Sequence, residues 1–353
     1  MKINTISIDL AKNVFQVAGF NQHHKREFNK RLSRAKLMEF MSNTPPCRVV
    51  MEACYSSHYW GRVFNSYGHQ VDLIPAQHVT PFVRGNKNDS NDALAIYEAS
   101  LRPNIKFVPI KTEEQQEILM LHKIRERLLQ QRIAATNQLR GLLVDFGYIF
   151  PVGIKAFELG MSELEQDIHL RPMLKTVVSD IYSEYKTLIT RINAIEAMLR
   201  AHVANDINAK ILHSIPGVGV INASAYAASI GQAQAFNNSN ELGVWLGLTP
   251  RQYASGDKSK MSGITKRGNG YLRKQLIHGA RALVARSHKH DDALCQWITK
   301  LRETKHFNCV VVATAHRLAR LMWVLLSKQV MYSPQYTLEH LQKNSPSINN
   351  EIA

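Results

Sequence analysis

Cysteine is scarce. Four cysteines stand among 353 residues, at positions 47, 54, 295 and 309, with no Cys-x-x-Cys pair. That spacing argues against a zinc site and against a disulfide framework. Acidic residues are few as well: 28 Asp and Glu face 44 Lys and Arg, a formal net charge of +16 and a pI of about 9.7. Such an excess attracts polyanions, and nucleic acid is the usual one. Long uncharged apolar runs are missing too. The most apolar late stretch, 310–326, carries His316, Arg317 and Arg320, which fits a buried or amphipathic helix and not a membrane span. The first residues lack the apolar run and cleavage site of a signal peptide. The expectation is a cytoplasmic protein with no membrane partner. Hydrophobic residues make up 45%, so a packed core forms and global disorder is excluded.

The length suits two or three domains. The first ~110 residues alternate strand and helix patterns, the mark of an α/β domain. Strands are expected over 3–10, 14–20, 26–29, 48–52, 71–74 and 105–109, and helices over 33–41 and 91–101. The middle changes character: 113–146 is one long helical pattern, broken at Pro151 and Gly153. In the next helix Leu174, Val178, Ile181, Tyr185, Leu188, Ile192, Ile195 and Leu199 alternate steps of four and three. That is a heptad seam, the pattern of a coiled coil. It fits a neighbouring helix or a second protomer, and its strictness favours oligomerisation. From about residue 208 small residues and glycines appear, followed by a basic run, and the chain ends in a polar tail. The expected partition is 1–111, 112–207, 208–333 and 334–353.

Four acids stand out. Asp9 ends the first strand pattern and Glu52 ends the apolar strand Val49-Val50-Met51. Charge at the end of a buried strand is costly unless a partner is present. Asp89 and Asp92 lie three apart where a helix begins, so they share one face. Acids in a first helical turn also suit the helix dipole, and solvated surface carboxylates are the plain alternative for each. Two acids at one spot repel unless a proton or cation sits between them. Mg²⁺ is a natural occupant, because it takes hard oxygen ligands. An RNase H-like fold would gather all four at one sheet edge, the set a two-metal phosphodiester site needs.

Two further segments carry chemistry. Ile215-Pro216-Gly217-Val218-Gly219 lies between helical patterns, as in a helix–hairpin–helix turn or an ordinary tight connection. Gly217 and Gly219 let backbone approach a phosphate, and the next helix offers free N–H groups. Ser255 precedes Gly256 in a loop flanked by cations: Lys258, Lys260, Lys266, Arg267 and Arg273 follow. A serine oxygen beside a clamped phosphate can act as nucleophile, and the cations would hold phosphates and offset developing charge. Serines in glycine-rich loops are most often plain loop residues. His213, His278 and His316 show no metal-ligand spacing.

Together these segments resemble the DEDD transposases of the insertion-sequence "one-ten" family, most closely its "eleven-eleven" group, with the Piv-type DNA invertases as relatives. The anchors are Ser7-Ile8-Asp9-Leu10-Ala11-Lys12, Met51-Glu52-Ala53-Cys54, Asn86-Lys87-Asn88-Asp89-Ser90-Asn91-Asp92-Ala93, Ile215-Pro216-Gly217-Val218-Gly219, the 247–256 segment, and Lys266-Arg267-Gly268 with Leu272-Arg273. The resemblance implies an α/β RuvC-like N-terminal domain whose acids Asp9, Glu52, Asp89 and Asp92 bind Mg²⁺, or Mn²⁺. It implies a dimerising coiled-coil middle and a mainly α C-terminal transposase domain with Ser255 as nucleophile. It further implies a homo-oligomer, dimer or tetramer, in which the acids of one protomer complete the serine site of another. Donor and target DNA and a noncoding bridge RNA are the implied partners, in a bacterial cytoplasm at the nucleoid. Ala254 replaces the first of two serines common in the group, which leaves Ser255. Met261-Ser262 stands where Leu-Gly is common. The rival functions are a hydrolytic RuvC-like nuclease, which needs no Ser255, and a non-enzymatic nucleic-acid binding protein, which needs no acids.

Overall fold

The computed structural model describes residues 3–83, 89–255 and 258–334; the side chains of Asp89, Ser90 and Lys258 lie outside the described set. The chain divides into two compact units, Met1–Glu114 and Gln115–Ala353.

The first unit is built on five strands: β1 (Thr5–Asp9), β2 (Val14–Phe20), β3 (Arg26–Ser33), β4 (Arg48–Glu52) and β5 (Gln70–Ile74). Their order is β3-β2-β1-β4-β5. β1 pairs antiparallel with β2 and β2 with β3, whereas β1–β4 and β4–β5 are parallel. A mixed sheet of this kind needs crossovers for its parallel half. These are α1 (Arg34–Ser42), between β3 and β4, and α2 (Ser57–Ser66), between β4 and β5. The short α3 (Ala76–Val79) follows, and then α4 (Asp89–Ser100). One sheet face buries Ile6, Ile8, Phe15 and Val17 against Leu37, Met41, Trp60 and Phe64 of α1 and α2. The alternate residues face α4: Val50 and Ile74 pack with Ala95, Ile96 and Ala99, and Phe20 stacks on Tyr97 at 3.4 Å. The period-2 alternation of the strands thus feeds two separate helical layers.

Three expectations are corrected here. β3 runs to Ser33, four residues beyond the expected end, because it is an edge strand of the antiparallel ribbon. Residues 57–66 form a helix that the strand-and-turn reading passed over, although Trp60, Val63 and Phe64 are spaced for one buried face. Its central Gly61 obscured the pattern. That glycine is needed: a Cβ there would lie 2.8 Å from Ile110 Cδ1. The 105–109 segment is not a strand and makes a single antiparallel bridge, Leu73 to Val108. Pro103 and Pro109 remove donors at both of its ends.

The second unit begins with α5 (Glu113–Val144), α6 (Ile154–Gln166) and α7 (Pro172–Asn205). It continues through α8 (Ile207–His213), α9 (Val220–Ile230), α10 (Ser239–Trp245), the hairpin β6 (Pro250–Ser255) and β7 (Lys258–Ile264), then α11 (Gly270–Arg286), α12 (Ala293–Thr304) and α13 (Phe307–Lys328). The heptad seam of α7 is occupied within the chain. Val178, Tyr182 and Tyr185 pack on Leu139, Leu143, Phe157 and Met161 of α5 and α6. Leu188, Ile192, Ile195 and Leu199 pack on Leu128 of α5 and Val220 and Ile221 of α9. Arg125 of α5 adds two hydrogen bonds to Glu196 of α7, at 2.8 and 2.6 Å. Of the seam, Val178, Tyr185, Leu188, Ile192, Ile195 and Leu199 are at most 8% exposed in one protomer, whereas Leu174 and Ile181 are only partly buried. α13 is long and apolar enough to cross a membrane. In the fold it is the central core helix, burying Val310, Leu318, Leu321, Met322 and Leu325 against α8, α10, α11 and α12.

Candidate nucleic-acid processing site

In the first unit the register places two acids side by side. Ile8 of β1 pairs with Met51 of the parallel β4, so Asp9 and Glu52 follow as the last residues of two neighbouring strands. Strand ends in an α/β sheet are where polar side chains can emerge from a dry interior. α4 packs across β1, β2 and β4. Its buried face, Ala93, Ile96 and Tyr97, fixes the rotation of the helix, and Asp92 next to that face is half-buried.

The electrostatics tie three of these acids together. Burial raises the Glu52 pKa above the ordinary carboxylate range, and the charge of Asp92 raises it further. Burial also raises the thiol of Cys54, with Glu52 and Asp9 adding to the shift. Like charges held together in a half-buried setting favour a proton or a cation between them. The donor set is carboxylate oxygen, the chemistry of Mg²⁺ and Mn²⁺ and not of a soft metal. Among the described residues no three His, Cys, Asp or Glu side chains converge closely enough to hold an ion. Asp89 begins α4, and its side chain lies outside the described residues.

The second unit carries the serine. Ser255 ends β6, opposite Lys258 of β7, and all of β6 is exposed. Gln252 Nε2 donates to Ser259 Oγ at 3.1 Å across the hairpin. Lys260, Lys266 and Arg267 are exposed; the Lys258 side chain lies outside the described residues. Arg273 is placed differently. Its Nη1 donates to the carbonyls of Leu246 and Arg267, both at 3.0 Å, and so ties down the loop that bears Lys266 and Arg267.

The base of the hairpin depends on two glycines whose structural role the motif reading did not find. Gly247 has φ +68, and a Cβ there would lie 2.2 Å from the Arg267 carbonyl oxygen. Gly268 has φ +80, and its Cβ would lie 1.9 Å from the Trp245 carbonyl oxygen. Two backbone segments therefore touch directly, clamped by Thr265 N to Thr249 O at 2.8 Å and Lys266 N to Gly247 O at 3.1 Å. Positive φ with close approach is the use to which glycine is suited.

Gly217 and Gly219 join α8 to α9. Gly217 has φ +82 and abuts Gly279 and Leu283 of α11. Gly219 is the N-cap of α9, and a Cβ there would meet nothing within 4 Å. The turn borders an open groove of about 600 Å³ lined by Pro216, Gly217, Gly219, Gln275 and His278. A backbone phosphate can reach the α9 N-terminus from that side.

The second unit also holds a buried histidine outside every sequence motif. His122 of α5 is 2% exposed and contacts Tyr271 Oη at 2.9 Å and Ser224 Oγ at 3.0 Å. Ser224 donates its hydroxyl proton to Val220 O at 2.7 Å, so His122 Nε2–H must be the donor to Ser224 Oγ. Nδ1 then accepts from the Tyr271 hydroxyl. Burial lowers the His122 pKa to about 4, with Arg125 adding to it, and burial pushes Tyr271 up to about 12. The unfolded histidine binds a proton near 6.5, so stability is full above that pH and is lost as the pH falls toward 4. The loss approaches about 3 kcal/mol at low pH. Thermal melts from pH 7 to 4 should show this slope in the wild type and lack it in His122→Gln.

The comparisons with known proteins agree across both units. A family model for DEDD transposases of the IS110 type matches residues 6–147, and one described as "Transposase IS116/IS110/IS902 family" matches residues 209–296. A "Probable family 20 transposase" of Pseudomonas aeruginosa is 40% identical over 337 residues, 95% of this chain and 100% of that protein. The transposase of insertion sequence element IS1328 from Yersinia enterocolitica is 38% identical, covering 94% of this chain and 99% of that protein. The transposase of IS1111A from Coxiella burnetii is 39% identical, covering 94% and 91%. Both groups of anchors, the strand-end acids and the C-terminal glycine and serine segments, therefore fall inside one lineage. The chain belongs to the IS116/IS110/IS902 family of insertion-sequence transposases, enzymes that act on DNA.

Proposed function

We propose that this transposase moves its own insertion sequence through a phosphoserine intermediate made by Ser255, with Asp9, Glu52, Asp89 and Asp92 as the ligands of Mg²⁺ or Mn²⁺. The observation that carries the reading is the Glu52–Asp92 coupling beside Asp9, at the ends of two neighbouring parallel strands. The sheet order, three antiparallel strands followed by two parallel ones, supports assignment of the first unit to the RNase H-like, RuvC-like class. A divalent metal, when bound by these acids, supplies Lewis-acid polarisation of a phosphoryl oxygen. Ser255 Oγ forms a bond to phosphorus as a P–O bond to deoxyribose breaks. The serine proton ends on the released sugar hydroxyl. The exposed Lys260, Lys266 and Arg267, with Lys258, orient the phosphate and offset charge in the transition state. Arg273 acts by holding their loop, and Gly217 and Gly219 bind backbone phosphate away from the chemistry.

In this reading residues 1–111 hold the acids, 112–207 the helical region and 208–333 the serine domain. The enzyme works as a homo-oligomer on donor and target DNA, paired by a noncoding bridge RNA. A covalent-adduct experiment tests the chemistry. The protein is expressed beside its native flanking DNA, cells are lysed in SDS, and protein-linked DNA is probed. The expected adduct disappears in Ser255→Ala and in Asp9→Asn. Cleaved DNA without an adduct, unchanged in Ser255→Ala, would instead establish a hydrolytic nuclease.

A further inference from the structure

α13 carries two guanidinium groups one turn apart that no carboxylate among the described residues balances. Arg317 and Arg320 are both half-buried. Among the described residues neither forms an ion pair with Asp or Glu. Arg317 lies with its Cζ 4.4 Å from the Trp297 ring centroid, a contact that uses the guanidinium face. The in-plane donors are not used by that contact, and Arg317 Nε is buried without a hydrogen-bond partner. Arg320 Nε has one long contact, 3.5 Å to Ser239 Oγ. His316, the neighbouring residue, has a buried Nε2 with no partner and packs against Gly243.

The energetics of this arrangement are unfavourable as it stands. Taking a cation out of water costs free energy unless a counter-charge is present. Burial lowers the pKa of both arginines; the charge of Arg320 lowers that of Arg317 further, and Tyr332 opposes the shift. Both arginines lie on the principal core helix, whose position is fixed by Leu318, Leu321 and Leu325, so the two cations cannot easily separate. Residues three apart on a helix rise about 4.5 Å, a spacing at which two planar forks can straddle the free oxygens of one phosphate.

We propose that Arg317 and Arg320, with Trp297 and Ser239 beside them, form a phosphodiester-binding site for the nucleic acid on which this transposase acts. Its residues are other than those of the Ser255 hairpin and the strand-end acids. It rests on the reading of the chain as a DNA-acting enzyme but not on the phosphoserine chemistry.

The test uses the full-length protein and two probes, inorganic phosphate and a duplex of the element's own DNA. Phosphate added at constant ionic strength against chloride should raise the melting temperature of the wild type and leave that of Arg320→Gln unchanged. In chloride alone Arg320→Gln should be at least as stable as the wild type, since a repulsive neighbour has gone; a purely structural arginine would give the opposite sign. The slope of log K against log salt for the duplex should become shallower by about 0.9 in Arg320→Gln, roughly a three- to fourfold change per contact between 50 and 200 mM. Arg320→Lys keeps the charge but loses the fork. It should keep the slope and lose most of the phosphate response, which preserves the test if the Gln variant folds poorly. An unchanged slope and unchanged phosphate response in Arg320→Gln would overturn the proposal. A lost phosphate response with an unchanged slope would mark a site for free phosphate and overturn the nucleic-acid assignment. Ser255→Ala should keep the wild-type slope throughout, so failure here is distinguishable from failure of the cleavage mechanism.

Discussion

Glu52→Gln is expected to reduce DNA cleavage by at least 10²–10³-fold, the order lost when one electrostatic group is removed from a reacting centre, while leaving the fold intact or firmer. The carboxylate sits half-buried at the end of β4, beside the charge of Asp92. Its ionised form is disfavoured by both. The folded chain therefore holds the Glu52 proton to a higher pH than the unfolded chain does. The stability this group contributes is present at low pH and is lost as the pH rises through its folded pKa. Gln has the same shape and no charge. In chelator, melting temperatures of wild type and variant should coincide in acid and diverge toward neutral pH, with the variant higher. Divalent metal should then raise the wild type more than the variant. A Glu52→Gln protein that cleaves normally, or that melts lower than wild type at neutral pH in chelator, would contradict the placement of Glu52 in an acid cluster.

Gly268→Ala carries the second large effect, this time through the backbone. The residue has φ +80, a conformation that costs an L-amino acid about 1–3 kcal/mol. The added Cβ would also lie 1.9 Å from the Trp245 carbonyl oxygen, a backbone atom that cannot rotate aside. The loops at 245–247 and 266–268 must then part, and with them the anchor of the Ser255 hairpin. A loss of about 2–4 kcal/mol is expected, read from denaturant midpoints, together with loss of recombination. Gly219→Ala is the control, because its φ of −78° is ordinary and nothing lies within 4 Å of the new Cβ. It should change stability by less than about 0.5 kcal/mol. Equal losses in the two variants would mean that the Gly247–Gly268 contact is not what holds the hairpin.

How much of this was legible beforehand differs by element. β1, β2, β4 and β5 were readable because short segments rich in apolar and β-branched residues lie between turn signals. α2 was not, since a ten-residue helix with a central glycine resembles a loop until Ile110 is found packed on Gly61. Asp9 and Glu52 were visible as charges ending apolar runs. That they lie on adjacent strands required the β1–β4 register, which no local pattern encodes. The α7 seam was legible as a seam but open as to its partner: period 3.5 reports a buried stripe, and only packing shows that α5, α6 and α9 lie against it. Arg273 and Lys266 read alike as basic residues beside the serine, yet one is bound to two carbonyls and the other is exposed. His122 gave no signal, because its partners are 102 and 149 residues away.

By itself the sequence determined the α/β-then-helical organisation, the four acids, the serine and its basic surround, and through them the transposase family. Each of these rests on residue type and local period, which are properties of neighbouring positions. Tertiary structure alone decided which strand ends stand side by side, which helices cover the seam, which cations are tied to backbone, and that Arg317 and Arg320 are half-buried with no counter-charge among the described residues. Those outcomes depend on contacts between distant segments, where burial removes water and makes the presence or lack of a partner count.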